Sequence, residues 1–327
     1  MEIAASVIVG DLESSRKAWE QALSLSSTDT VFLTPWWQEI WWRRFGGNAQ
    51  PYVLTIREGG ALLGVAPMLR AGHDLFLMGE PDLFDYQDVL PVRGREEPFY
   101  RALWEFLCKQ EWATLSLRSV QQASETLRYL PALCKTAGCS VQTEVDGTVP
   151  AASLPATWDA YVEGLEKKER HELRRKLRRL EAAGDVRQRT YADPQELLNC
   201  MEDFFRLMRL SREDKERFLT PERERFFVDL AAGLAARGQY RLSFLELSGT
   251  RVAGCITFDY GDAYLLYNSG YDPAYASLSV GLLNKALCIK EAIEAGKHTF
   301  DFLKGPERYK YDLGGKERLV YRMTVRR

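Results

Sequence analysis

Three strand-like segments follow one another with almost nothing between them. Tyr240–Leu247, Arg251–Tyr260 and Ala263–Tyr271 are runs rich in aromatic and aliphatic residues, joined only by Ser248-Gly249-Thr250 and Gly261-Asp262. Connections this short force an antiparallel meander, because a parallel crossover needs roughly a dozen residues or more. A helical pattern at Ser279–Ala295, stopped by Gly296, comes next, then a strand at His298–Leu303, a polar loop and a final strand at Leu319–Val325. Upstream lie a strand at Val186–Tyr191 and helices at Pro194–Leu210 and Pro221–Arg237, the second ended by Gly238. The order is β-α-α-β-β-β-α-β-β, a mixed α/β arrangement.

The first half reads as a rougher version of the same order. Thr34 and Pro35 are a plausible N-cap and first residue of a helix that carries Trp36, Trp37, Ile40, Trp41 and Phe45. Pro51–Arg57 and Ala61–Leu69 flank Glu58-Gly59-Gly60, a hairpin signal. A third strand is expected near Tyr86–Leu90, a helix at Pro98–Lys109, and strands at Thr114–Leu117 and Val141–Val145. A seam at Gly147–Pro155 divides an expected N-terminal domain, 1–150, from a C-terminal domain, 151–327. The second opens with one long helix over Thr157–Ala183, its apolar stripe running from Trp158 and Tyr161 to Leu177 and Leu180, with Gly184 as the stop. Two similar orders in tandem point to a structural duplication.

Composition excludes several classes. With 44 basic and 46 acidic residues the formal charge is −2, so the chain is no general nucleic-acid coat. Its 46% hydrophobic and 28% charged residues are those of a globular enzyme. No apolar run approaches the ~18–20 residues of a membrane span. Met1 to Asp11 shows no leader pattern. The six cysteines form no C-x-x-C pair and read as buried free thiols of a cytoplasmic protein. The three histidines have no metal-ligand spacing, and the glycine-rich nucleotide motifs are absent. No metal is expected.

Four stretches carry a resemblance: the basic helix from Gly164 through Arg170 onward, Tyr267-Asn268-Ser269-Gly270-Tyr271-Asp272, Asp301 through Lys310, and Phe84-Asp85-Tyr86-Gln87-Asp88. The order of the second half is that of the GNAT acyltransferases. The stretches resemble more narrowly the CelD type of that superfamily, with its BioF2-like acetyltransferase domain, named after a cellulose-biosynthesis protein and related to the Fem peptidyltransferases. The resemblance implies an α/β (α+β) fold of two tandem GNAT-like domains, each a mixed, mostly antiparallel sheet flanked by helices. It implies acyl transfer from acetyl-CoA or another acyl-CoA to an amine or hydroxyl of a glycan or cell-envelope precursor. The Fem branch keeps an aminoacyl-tRNA donor open, and a non-catalytic GNAT-like binding module is the third alternative. DNA is not an expected partner.

A standard GNAT donor loop has Q/R-x-x-G-x-G/A at a helix start, where backbone N–H groups cradle pyrophosphate. The matching stretch here is Ala276 to Gly281, in which Ser279 replaces the first glycine and Gly281 remains. Ser277, Ser279 and Gly281 are therefore the expected donor-binding residues. The resemblance implies that Tyr309 returns a proton to a leaving group and that Lys310 stabilises an oxyanion or holds a phosphate. Asp301 is a further acid candidate, and Asp259 a weaker one. Between Lys167 and Arg179 eight basic residues face two acidic ones, and Arg170, Arg174 and Arg178 share a helical face. That face either meets an anion or is simply solvated. Asp85, Tyr86 and Asp88 suit an amine or sugar hydroxyl, or plain turn chemistry. Tyr267 and Tyr271 are expected to line a substrate groove or to pack.

Overall fold

The computed structural model describes residues 5–327. The reading of Met1 to Asp11 therefore rests in part on residues outside that range. Two compact units are formed, one of 5–148 together with Leu319–Arg327, the other of Val149–Arg318.

The first unit contains β1 (Ala5–Gly10), α1 (Leu12–Leu25), α2 (Pro35–Phe45), β2 (Gln50–Glu58), β3 (Ala61–Ala71), β4 (Asp74–Leu77), β5 (Leu90–Pro91), α3 (Glu96–Cys108), β6 (Thr114–Gln121), α4 (Glu125–Thr136) and β7 (Ser140–Thr148). Thr34 caps α2 by accepting the Trp37 N–H, and Pro35 occupies its first turn. The third strand falls at Asp74–Leu77 rather than at Tyr86–Leu90, of which only the last residue enters a strand. Trp37 and Trp41 are core residues.

The second unit contains β8 (Ala151–Ser153), α5 (Trp158–Gly164), α6 (Lys167–Glu181), β9 (Val186–Tyr191), α7 (Pro194–Ser211), α8 (Glu213–Phe218), α9 (Pro221–Ala235), the meander β10 (Tyr240–Leu247), β11 (Thr250–Tyr260) and β12 (Ala263–Tyr271), then α10 (Val280–Glu294), β13 (Thr299–Asp301) and α11 (Arg308–Asp312). Asp193 and Thr220 cap α7 and α9 ahead of Pro194 and Pro221. The long helix expected over Thr157–Ala183 is two helices. Leu165 and Glu166 are extended at ψ 152° and 140°, which breaks the run between them.

The last strand, β14 (Leu319–Arg326), joins the first sheet, not the second where its place in the chain pointed. It pairs antiparallel with both β6 and β7. The first sheet runs β1-β2-β3-β4-β6-β14-β7, with β5 on β3, and the second runs β9-β10-β11-β12-β13-β8. Each has one parallel pair, β4 with β6 and β12 with β13. The two sheets thus repeat one plan, and β8 takes beside β13 the place that β14 takes beside β6.

In the second unit the sheet carries helices on both faces. Cys255 and Ser269 pair across β11 and β12 and so share a face; Asn284 of α10 donates to Cys255 on that side. Gly270, the next residue along, faces α7. A Cβ there would lie 2.4 Å from the Met208 backbone nitrogen, so only glycine lets α7 pack this close.

Candidate functional site

The sheet of the second unit opens at one place. β12 and β13 pair only at Ala263 with Thr299, Tyr264 with Phe300 and Leu265 with Asp301. β13 then ends, while β12 continues to Tyr271. A register shift against β11 leaves Tyr267 as an extra residue at this point, between Leu266 and Asn268. Such bulges turn a strand away from its neighbour and occur beside active sites.

At the mouth of the opening a 3-10 turn, Pro273–Leu278, leads into α10. Ser279 joins the two in a left-handed conformation, φ 59° and ψ 32°. A cavity of about 220 Å³ lies against this turn, lined among others by Tyr271, Ser279, Gly281, Lys285 and Tyr309. Gly281 is required by its neighbour, since a Cβ would sit 2.9 Å from Cδ1 of Tyr271. Arg179, at the end of α6, donates from Nη2 to Ser279 Oγ at 3.1 Å, and its Nε is buried without a hydrogen-bond partner. A helix N-terminus, a hydroxyl and a guanidinium are groups of the kind that suit an anion. Ser279 and Gly281 are thus at the cavity, whereas Ser277 is exposed and does not line it.

Lys310 is interior, 2% exposed. Its Nζ donates to the Leu303 carbonyl at 3.0 Å and the Lys304 carbonyl at 2.9 Å, and pairs with Glu307 at 3.0 Å. Asp301 accepts the Leu303 N–H at 2.9 Å and the Arg318 guanidinium at 2.6 Å. Leu303 itself is left-handed, φ 58°. Both side chains therefore clamp the 302–310 loop that presents Tyr309. Burial, with Glu307 and Cys255 adding, raises the Tyr309 phenol well above its ordinary value, so it keeps its proton. Asp259 is held by Arg241 and Lys297.

Two lysines escaped the sequence reading. Lys285, on α10, lies 4.7 Å over the Tyr309 ring and donates to the Gly281 carbonyl at 2.9 Å. Lys215, on α8, donates to the Ser269 carbonyl and, at 3.4 Å, to Asn268 Oδ1. Burial and the Lys285 charge push Lys215 down to about 8, and burial also lowers Lys285. Burial would raise the Cys255 thiol, but the Cys288 thiol, both lysines and Asn284 outweigh it and hold it below its usual value. Lys285 had a signal: it stands beside Asn284 in the otherwise apolar stretch Val280 to Ile289 of α10. Lys215 had none, being one charge in the run Arg212 to Arg217. Arg179 was counted in the basic face but not singled out.

Other expected residues lie elsewhere. Arg170 and Arg174 both pair with Glu163. Tyr267 packs between Phe227 and Phe258, with ring centroids 5.6 and 4.8 Å away. In the first unit Tyr86 is a core aromatic edge-on to Phe32. Asp88 is interior, accepting the Val89 N–H and the Thr126 hydroxyl, which in turn meets Tyr100 OH. Neither is open to a substrate in this conformation. Four of the cysteines are buried, while Cys108 is exposed and Cys139 half-buried.

Residues 167–311 match the family model described as an acetyltransferase (GNAT) domain. This stretch is similar to a GNAT acetyltransferase domain. No curated protein matches the chain. Among solved structures, FemX is similar over 97% of this chain and 96% of its own, with TM-score 0.67 and 11% identity. A tandem GNAT protein from the clavulanic acid biosynthesis pathway is similar over 98% of each chain, with TM-score 0.54 and 11% identity. The L-PGS structure from Bacillus licheniformis is similar over 81% of each, with TM-score 0.51 and 12% identity. These likenesses concern the fold, which is that of two tandem GNAT-like domains. Among the described residues no helix is long and apolar enough to cross a membrane, and no cluster of three or more His, Cys, Asp or Glu is placed to hold a metal.

Proposed function

We propose that the protein is a GNAT-type acyltransferase of the CelD or BioF2-like kind, moving an acyl group from acyl-CoA to an amine or hydroxyl of a glycan or cell-envelope precursor. The observation that carries this reading is the anion site at the start of α10, where Arg179 meets Ser279 beside the opening between β12 and β13. The phosphates of the donor fit there, and the thioester is what acyl-CoA supplies. The acceptor nitrogen or oxygen attacks the thioester carbonyl, the new C–N or C–O bond forms, and the C–S bond breaks. One proton leaves the acceptor and one ends on the leaving sulfur. Tyr309, still protonated, is assigned to the sulfur side. Lys310 and Asp301 fix the loop that positions it, and Tyr271 shapes the donor cavity. Catalysis of this kind rests on proximity and placed donors.

A second reading is favoured by α6. Lys167, His171, Arg174, Arg175 and Arg178 are exposed and fall one turn apart on its outer face, with Leu173 and Leu180 turned inward. The stripe ends one residue before Arg179. A polyanionic donor of the aminoacyl-tRNA kind would use both the stripe and the cavity, as a Fem-like transferase would.

The test is calorimetric titration of acetyl-CoA into the wild-type protein and into Arg179→Ala. Binding that weakens about tenfold or more in the variant supports the acyl-CoA reading. No binding of acetyl-CoA, with salt-sensitive binding of tRNA, transfers support to the second reading.

A further inference from the structure

The opening between β12 and β13 carries more positive charge than the protein balances. Lys285 approaches it from the α10 face, since α10 packs on the face of Cys255. Lys215 approaches from the other face, bonding Asn268, whose side chain points oppositely to that of Ser269. Among the described residues neither lysine has a carboxylate at ion-pair distance. Their acceptors are the carbonyls of Gly281 and Ser269 and the amide of Asn268. Glu307 is the carboxylate that acts on both, and its own ion pair is with Lys310. Three ammonium groups therefore face one carboxylate. The Cys255 thiol, when ionised, offsets one charge at most; Cys288 keeps its proton, and Arg212 adds positive charge balanced by Asp214. Lys285 is 7% exposed, yet it lines the cavity. A charge as buried as that of Lys285 is normally paired.

We propose that this opening receives a carboxylate carried by a substrate, held between Lys285 and Lys215. The inference rests on the acyl-transfer reading and sharpens it: the acyl chain is a dicarboxylic half-thioester, or the acceptor bears a carboxylate next to its nucleophile. Both lysines titrate below their ordinary range while the charge is unmatched, Lys215 at about 8. A bound carboxylate stabilises their charged forms, so binding near pH 8 takes up protons.

The experiment has a donor arm and a donor-free arm. In the first, CoA, acetyl-CoA and succinyl-CoA are titrated calorimetrically near pH 8 in two buffers of different ionisation enthalpy. A donor-borne carboxylate makes succinyl-CoA bind about tenfold tighter than acetyl-CoA, with extra proton uptake. Lys285→Met and Lys215→Met, the second at a half-buried position, each abolish the difference, with thermal unfolding as the check on folding. In the second arm, succinate and neutral succinamide compete with acetic anhydride for Lys215, read by peptide mass with and without CoA. Protection by succinate but not succinamide, without an acyl preference, places the carboxylate on the acceptor. Equal binding of all three CoA species together with no protection by succinate overturns the proposal while leaving acyl-CoA as donor. Protection by succinate when no CoA species binds upholds the carboxylate site and removes the donor reading instead.

Discussion

The Arg179 guanidinium spans from the last turn of α6 to the Ser279 hydroxyl, 3.1 Å away, where the chain enters α10 through a left-handed residue. One side chain thus ties a strongly basic helix to the start of the helix that shapes the cavity. Removing it takes away a charge-assisted donor worth roughly 1.5–3 kcal/mol where an anion binds. Arg179→Ala is expected to weaken acetyl-CoA binding by about 10- to 100-fold, with the thermal midpoint nearly unchanged. Calorimetry beside thermal unfolding checks both halves; unchanged affinity refutes the assignment of Arg179.

Gly281 and Tyr271 are coupled by contact. Gly281→Ala puts a Cβ 2.9 Å from the tyrosine ring, and is expected to cost about 1 kcal/mol of stability and to narrow the cavity. In a Tyr271→Ala background the same change meets only the Cβ of residue 271 at 3.5 Å, an ordinary contact, and gains helix propensity instead. A double-mutant cycle from denaturant unfolding measures the coupling. Additive effects would mean that the ring moves aside freely.

Lys310 is a clamp in this conformation, since all of its polar contacts lie within its own loop. Lys310→Met leaves two carbonyls and Glu307 without their cation, and is expected to destabilise the fold by about 3 kcal/mol. Activity should then fall with the folded fraction and recover at low temperature. Loss of turnover in fully folded Lys310→Met, seen by circular dichroism at the assay temperature, would restore a direct role in the chemistry.

Asp88 gives the first unit a pH signature. Burial pushes its carboxyl from 3.8 up to about 6, against the hydrogen bonds from Thr126 and Val89. Between these values the folded chain holds a proton that the unfolded chain has released. Stability therefore declines as pH rises through that window, by on the order of 2–3 kcal/mol in all, and the loss is complete above about 6. Asp88→Asn is neutral in both states, and is expected to flatten this dependence and raise the melting temperature above pH 6. An unchanged pH profile of unfolding in Asp88→Asn would show that Asp88 is ionised in the fold.

The meander was legible because its turns are too short to permit anything else, and α2, α7 and α9 because Thr34, Asp193 and Thr220 each precede a proline. The break at Leu165 was not, since the apolar spacing of Tyr161 to Leu180 passes through it unchanged. The pairing of β14 was not legible either, because a strand's alternation says which face is buried but not which sheet receives it. At the site, Ser279, Gly281 and Tyr309 could be read from their place after the meander. Lys215 could not: its environment is made by Asn268 and Ser269, more than fifty residues away. Tyr86 and Asp88 looked like surface chemistry because turn-forming residues surround them, yet Phe32 and Thr126 close over them.

The exchange of β8 and β14 has a consequence for biogenesis. Val149 and Arg318, where the second unit begins and ends, are joined by a backbone hydrogen bond of 2.8 Å. That unit is a cassette spliced into the first, with its two ends side by side. On the ribosome the cassette is complete before Leu319 is made, while the first sheet lacks the strand between β6 and β7 until β14 follows. The N-terminal half is therefore completed only after the cassette that follows it, and removing Leu319–Arg326 should injure the unit that was synthesised first.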